Sequence, residues 1–259
     1  MGSGLLTSDG EQWRHQRRLA LLRAGGVADA HSLAGRLLAA TDPETGEGMN
    51  DEAIVDNVIT FVGAGHETTA VALAWTLYAL AHQQGLGDRL AEESERVLGD
   101  ATATADAVDS LELHRRTVQE AMRLYPPVAA IVRTVVRAVR VGPFELEPGD
   151  HVTVATMPMQ RNPAFWPNPH AFDESRFVPE AIAARDRFSY LPFGDGPRVC
   201  IGAKFALTEA VLVLARLTPT LQFSPSEGKP PKPVLSVTLR PSDGMRLKVN
   251  RRTSQNSRK

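Results

Sequence analysis

At 259 residues the chain has room for one large domain or two small ones, since domains run to roughly 100 to 200 residues. Apolar residues make up 42% and charged residues 23%, with 29 basic against 30 acidic side chains. This balance excludes a disordered chain, a fibrous repeat and a basic nucleic-acid-binding surface. The longest apolar run, Ala70–Ala81, falls short of the ~18 residues of a membrane-spanning helix, and Met1-Gly2-Ser3-Gly4 lacks the basic start and apolar block of a secretory signal. A cytoplasmic protein without a membrane anchor is expected. The single cysteine, Cys200, excludes an intrachain disulfide and a Cys-rich zinc module.

Ser8-Asp9-Gly10-Glu11 reads as a capping box opening a helix through Trp13 to Leu22, which Gly25-Gly26 stops. A second helix is expected over Asp29–Ala40, followed by turn residues Thr41–Gly48 and by Asn50 and Asp51 as caps. No proline interrupts the mostly apolar run Asp51–His82, which predicts one helix of about 48 Å at ~1.5 Å per residue. Helices are expected again over Asp88–Leu98 and Ser110–Tyr125, the latter ended by Pro126-Pro127. Ile131–Val141 and Phe144–Thr156, rich in Val and Thr, read as strands broken by Gly142-Pro143 and Pro148-Gly149-Asp150. A long ordered coil to Pro197 leads into a helix over Gly202–Leu217. Ser236–Arg240 and Met245–Val249 read as a closing hairpin around Pro241–Gly244.

Several familiar chemistries fail by a residue. His66-Glu67-Thr68-Thr69-Ala70 begins like a zinc-protease helix, but Ala70 stands where the second His ligand must be. Gly63-Ala64-Gly65 and Gly194-Asp195-Gly196 each lack the third glycine of a dinucleotide fingerprint. The segment Phe193-Gly194-Asp195-Gly196-Pro197-Arg198-Val199-Cys200-Ile201-Gly202 differs. It is a tight glycine-rich loop that sets Cys200 just before a helix, and the free N–H groups and dipole at a helix N-terminus favour a thiolate over a thiol. Arg198 offers a fork donor to a carboxylate.

Phe-x-x-Gly-x-Arg-x-Cys-x-Gly resembles the haem-thiolate loop of the cytochrome P-450 monooxygenases. The resemblance implies haem b as cofactor, held by Phe193, Arg198, Cys200 and Gly202, with Cys200 as the axial iron ligand and Arg198 paired with a propionate. Ala64-Gly65-His66-Glu67-Thr68-Thr69 is similar to the family's oxygen-activating segment. Ala64 and Gly65 would lie against the haem, and Glu67 and Thr68 would be the catalytic proton relay. Trp13 and Arg17 resemble a Trp-x-x-x-Arg helix that reaches the propionates, as Arg133 would from the first strand. Glu120-Ala121-Met122-Arg123 matches the family's Glu-x-x-Arg pair, and Arg176 in Phe172–Phe177 completes the implied structural triad. Glu11 with Arg14, Glu93 with Arg96 and Glu112 with Arg115 share the spacing and read as surface ion pairs. Gln160 stands where members often have His before Arg161, which implies one haem contact fewer.

The implied fold is mainly α with a small β region, a shortened cytochrome P-450-like fold. Residues 1–259 are read as one haem-thiolate domain: haem-propionate helix 1–25, central helix 51–82, Glu-x-x-Arg helix 110–125, small sheet 131–156, and Cys loop with its helix 193–217. Only residues 23–41 join the first helix to the approach of the central one, so the lid helices and the N-terminal sheet are expected to be missing, and Phe144–Thr156 to present an open edge. The remaining lining, Phe61, Val62, Ala64, Ala129 and Ile131, is apolar and implies a hydrophobic small-molecule substrate. Electrons would come from a separate ferredoxin-type or flavoprotein donor, and a second copy of the chain would cover exposed edges. Two rival readings stay open: a haem-binding peroxidase-like or carrier protein, and an inactive deletion product.

Overall fold

Asn50 Oδ1 accepts the backbone N–H of Ala53 at 2.8 Å, and Asp51 and Glu52 occupy the first turn that follows, where carboxylates suit the positive end of the helix dipole. With no proline to stop it, the helix runs for 32 residues. The computed structural model describes residues 4–24 and 33–252. Its principal helices are α1 (Gly10–Ala24), α2 (Leu33–Leu38), α3 (Asp51–His82), α4 (Leu86–Leu98), α5 (Glu112–Leu124), α6 (Thr156–Met159), α7 (Pro179–Ala184) and α8 (Ala203–Leu217). The strands are β1 (Ile131–Thr134), β2 (Val139–Val141), β3 (Phe144–Leu146), β4 (His151–Val154), β5 (Leu221–Pro225), β6 (Pro233–Leu235), β7 (Leu239–Pro241) and β8 (Leu247–Arg251). The expected start of the second helix at Asp29, and Gly25-Gly26 before it, lie outside the described residues. Among the described residues no helix is long and apolar enough to cross a membrane.

The chain divides into two compact units, Met1–Glu67 and Thr68–Lys259, with the boundary inside α3. In the first, Leu5, Leu37, Ala40 and Ile54 are buried. Asn57, fully buried on α3, accepts the Leu5 N–H at 3.2 Å and donates to Ala53 O at 2.7 Å. This pins the segment before α1 to α3. Gly4 is needed there because a Cβ would lie 2.2 Å from Thr60 Oγ1 and 2.7 Å from Asp56 O. Ser8, read as a cap, turns inward and donates to Gln16 Oε1 at 2.8 Å, while the helix itself opens at Gly10.

In the second unit α4, α5 and α8 pack around Leu90, Leu111, Val118, Val211 and Leu214, each fully buried. Trp75 stacks on Tyr125 with centroids 4.0 Å apart and 6° between planes, and its Nε1 donates to Leu239 O at 2.8 Å. The indole is thereby both buried and satisfied. Among the described residues the β region consists of four two-stranded antiparallel sheets, β1–β4, β2–β3, β5–β8 and β6–β7. The stretches read as two long strands are four short ones, since Gly142 (φ 58°) and Gly149 (φ 98°) reverse the chain. The closing hairpin is not found. β7 pairs back to β6 across a turn at Ser236–Thr238. Asp243 (φ 58°) and Gly244 (φ 76°) then turn the chain away, so that β8 pairs with β5, Phe223 opposite Val249.

Candidate functional site

The Cys200 loop is built by backbone hydrogen bonds that its glycines permit. Gly194 and Gly196 hold φ of 73° and 74°, where a side chain would be strained, and a Cβ on Gly194 would also touch Ile131 Cδ1 of β1 at 3.4 Å. Gly194 N donates to Leu191 O at 3.2 Å, Val199 N to Gly196 O at 3.0 Å and Cys200 N to Phe193 O at 2.9 Å. Phe193 packs against the hydrophobic core. Cys200 is exposed, two residues before Gly202, and α8 starts at the next residue. Asp195, bonded to Arg187 at 2.7 Å, is held below the ordinary carboxylate range by the Gly196 N–H and by Arg187.

A second feature of this unit is an ion pair from which water is excluded. Glu120 and Arg123 are both fully buried. Arg123 Nε donates to Glu120 Oε2 at 2.7 Å and Nη2 to Glu120 Oε1 at 2.8 Å, a two-pronged pairing. Its other donors reach the carbonyls of Gln160, Pro169 and Ala171 at 2.9, 2.8 and 3.0 Å. Glu120 Oε1 also accepts Asp173 N at 2.9 Å, and Arg176 Nε lies 3.5 Å from it as a charge contact. Burial pushes the Glu120 carboxyl up, against the pull of Arg123, Asp173 N and Arg176. Trp166, itself buried, has the guanidinium groups of Arg123 and Arg185 over its ring, at 5.0 and 4.4 Å from its centroid. Burial and the Glu120 charge raise the Tyr190 phenol, which stays protonated and donates to Gln119 O at 3.0 Å.

Of the residues singled out from sequence, Phe193, Arg198, Cys200 and Gly202 share this loop, and Glu120, Arg123 and Arg176 meet as just described. Arg133 is exposed on β1, donating to Val132 O. Thr68 opens the second unit. Trp13 and Arg17 belong to the first unit, on one face of α1, with the Arg17 guanidinium 5.5 Å from the Trp13 centroid. Ala64, Gly65 and Glu67 lie within about one turn of α3 in the same unit, and a Cβ built on Gly63 or Gly65 meets nothing within 4 Å, so a flat molecule could approach the helix backbone there.

Two residues depart from the reading of the sequence. Gln160, read as a lost haem contact, is fully buried and gives its side chain to protein backbone: Nε2 donates to Met122 O and Arg123 O at 3.1 Å each, and Oε1 accepts Leu191 N at 3.0 Å. Glu93, read as half of a surface pair with Arg96, is buried. Its Oε1 accepts Leu113 N at 3.0 Å, and its Oε2 accepts His114 N and Nδ1 at 3.1 and 2.7 Å. Arg96 stands 3.6 Å off. Glu93 therefore caps α5 from a neighbouring helix, a role its i,i+3 spacing hides.

The sequence profile of the family described as Cytochrome P450 matches residues 27–249. The chain belongs to the cytochrome P450 family. Cyclooctatin synthase of Streptomyces melanosporofaciens is 37% identical over 221 residues, 85% of this chain and 48% of that protein. Cytochrome P450 4A10 of Mus musculus is 35% identical over 210 residues, 80% of this chain and 41% of its own length. The crystal structure of the cytochrome P450DA heme domain superposes with a TM-score of 0.82 at 35% identity, covering 93% of this chain and 55% of that one. The P450 chain thus spans about half the length of the curated relatives it matches. Membership in the family implies a haem cofactor. The donor set suits one: an exposed sulfur is the soft ligand that thiolate-bound iron needs, and guanidinium forks match propionate carboxylates.

Proposed function

We propose that the protein is a haem-thiolate monooxygenase that inserts one oxygen atom into a hydrophobic small molecule. The observation that carries this reading is the Cys200 loop: the chain's one thiol, exposed at the entry to a 15-residue helix, its own N–H tied to Phe193 O. Haem b, when bound, supplies reductive activation of dioxygen and its transfer to carbon. Everything else falls to the protein's own side chains. Cys200 Sγ would hold the haem iron, and Arg198 and Arg133 would pair with its propionate carboxylates; in the first unit, Trp13 and Arg17 offer an indole N–H and a guanidinium suited to carboxylates, and Ala64 with Gly65 keeps the helix backbone free of bulk. Glu67 and Thr68 hold and pass a proton between carboxyl and Oγ1, work for which an acid beside an alcohol on one helix turn is suited. On α3, Phe61 and the exposed Val62 would offer apolar surface to a substrate, whereas Ala129 is buried in the protein. A ferredoxin-type or flavoprotein donor in the cytoplasm supplies the electrons. Pairing of a second copy along the open β edges is part of the same reading, supported by Phe144, which is 67% exposed in β3.

The test is haem stoichiometry together with the spectrum of the reduced carbon monoxide adduct. Wild type is expected to bind haem at one equivalent and to show the red-shifted thiolate band, and Cys200→Ser to lose the band or the haem. An unchanged spectrum in that variant removes the assignment. Product analysis with a hydrophobic substrate then separates a monooxygenase from a haem carrier.

A further inference from the structure

The chemistry proposed for the site leaves Gln160 unused, yet this side chain links the Glu120–Arg123 pair to the Cys200 loop. It is fully buried just after α6, and its backbone carbonyl accepts Arg123 Nη1 at 2.9 Å. Both N–H groups of its amide go to Met122 O and Arg123 O, at 3.1 Å each. These are last-turn carbonyls of α5, which have no partner within the helix. The opposite end of the amide, Oε1, accepts Leu191 N at 3.0 Å. From Leu191 the path is short: Leu191 O accepts Gly194 N at 3.2 Å, and Phe193 O accepts Cys200 N at 2.9 Å. Only a side chain with two donors at one tip atom and an acceptor beside it can join these partners.

We infer that Gln160 is the positioning residue of the Cys200 loop, clamping Leu191 to the end of α5 and so fixing where the sulfur stands. The inference rests on the haem-thiolate reading for its consequence at iron, and on the hydrogen bonds alone for its consequence in the loop. Without the clamp, Leu191 N and two helix-end carbonyls lose their partner in a buried place, and the turn that holds Phe193 O under Cys200 N loosens.

Three variants test it, each measured with and without haem. Gln160→Met keeps length and bulk and removes every side-chain hydrogen bond, leaving those of the residue's backbone. Gln160→His can donate from one ring nitrogen and accept at the other. Ser94→Ala, at the far end of α8 where Ser94 meets Thr218, destabilises the protein away from the loop. Amide exchange at Leu191, Gly194 and Cys200 is expected to rise about tenfold in Gln160→Met, the size of one buried hydrogen bond lost locally. At equal haem content the red-shifted carbon monoxide band is expected to fall by about half or more, because the sulfur no longer stays on iron. Gln160→His, which can keep the bond to Leu191 N but only one of the two to the α5 carbonyls, is expected to recover both readings in part, and Ser94→Ala to lower the melting temperature while moving neither. If Gln160→Met yields no folded protein, Gln160→Asn, with the same amide one methylene shorter, is read in the same way. Unchanged exchange in either variant, or equal loosening in Ser94→Ala, overturns the inference. If exchange rises but Cys200→Ser retains the band, the clamp stands and the ligand assignment falls.

Discussion

Glu93 shows how much a single carboxylate does when it caps a helix from outside. It satisfies the N–H groups of Leu113 and His114 and the ring of His114 at once. Burial raises its carboxyl, but the His114 ring, the two backbone N–H groups and the attraction of His114 outweigh this and leave it below the ordinary carboxylate range. A depressed folded-state value means that the stabilisation is complete above the unfolded pKa, about 4.3, and disappears as pH falls through the lower folded value. Glu93→Ala is expected to cost ~2 to 4 kcal/mol at neutral pH, from a lost cap and buried groups left unpaired, read by denaturant unfolding. The gap between wild type and Glu93→Gln should narrow below about pH 4; a gap constant with pH refutes the ionic part of this account. Glu120→Ala strands the Arg123 charge in the interior and is expected to cost ~3 to 5 kcal/mol.

At the level of elements, the contact of the chain before α1 with α3 depends on the missing side chain of Gly4. Gly4→Ala is expected to destabilise the first unit by ~1 to 3 kcal/mol, since one of the atoms met is the backbone oxygen of Asp56 at 2.7 Å and cannot swing aside. Amide exchange along Asn50–Thr60 measures this, and unaltered protection there contradicts it. The long helices were legible because their signals are local: α3 has Asn50 before it and no proline within, and α5 ends where Tyr125 meets Pro126-Pro127. The Cys200 loop was legible because φ-positive glycines and the cysteine fall at fixed offsets in one segment. What was missed is non-local. β8 finds β5 across the whole of residues 226–246, and no pattern inside either strand names the other. Glu93 shares its i,i+3 spacing with several exposed pairs, and only tertiary packing against Leu113 and His114 distinguishes it. Gln160 looked like a substitution at a ligand position because its partners, Met122, Arg123 and Leu191, are far off in sequence.

For the molecule as a whole, the open edges of four two-stranded sheets and the exposed Phe144, Val139 and Val141 of β2–β3 are a route to self-pairing. Sedimentation velocity is expected to show concentration-dependent association that Phe144→Lys reduces; a monomer at all concentrations for both proteins excludes this edge as an interface. The placement of the three tryptophans has an optical consequence. Trp13 is in the first unit, while Trp75 and Trp166, each 1% exposed, are in the second. Trp13→Phe therefore leaves an emission that reports the second unit alone, and the difference from wild type reports the first. Acrylamide should quench the Trp13 component and spare the two shielded indoles. During a thermal ramp the two signals tell whether the two units melt together or one before the other, a distinction that circular dichroism, which averages over every helix, cannot draw.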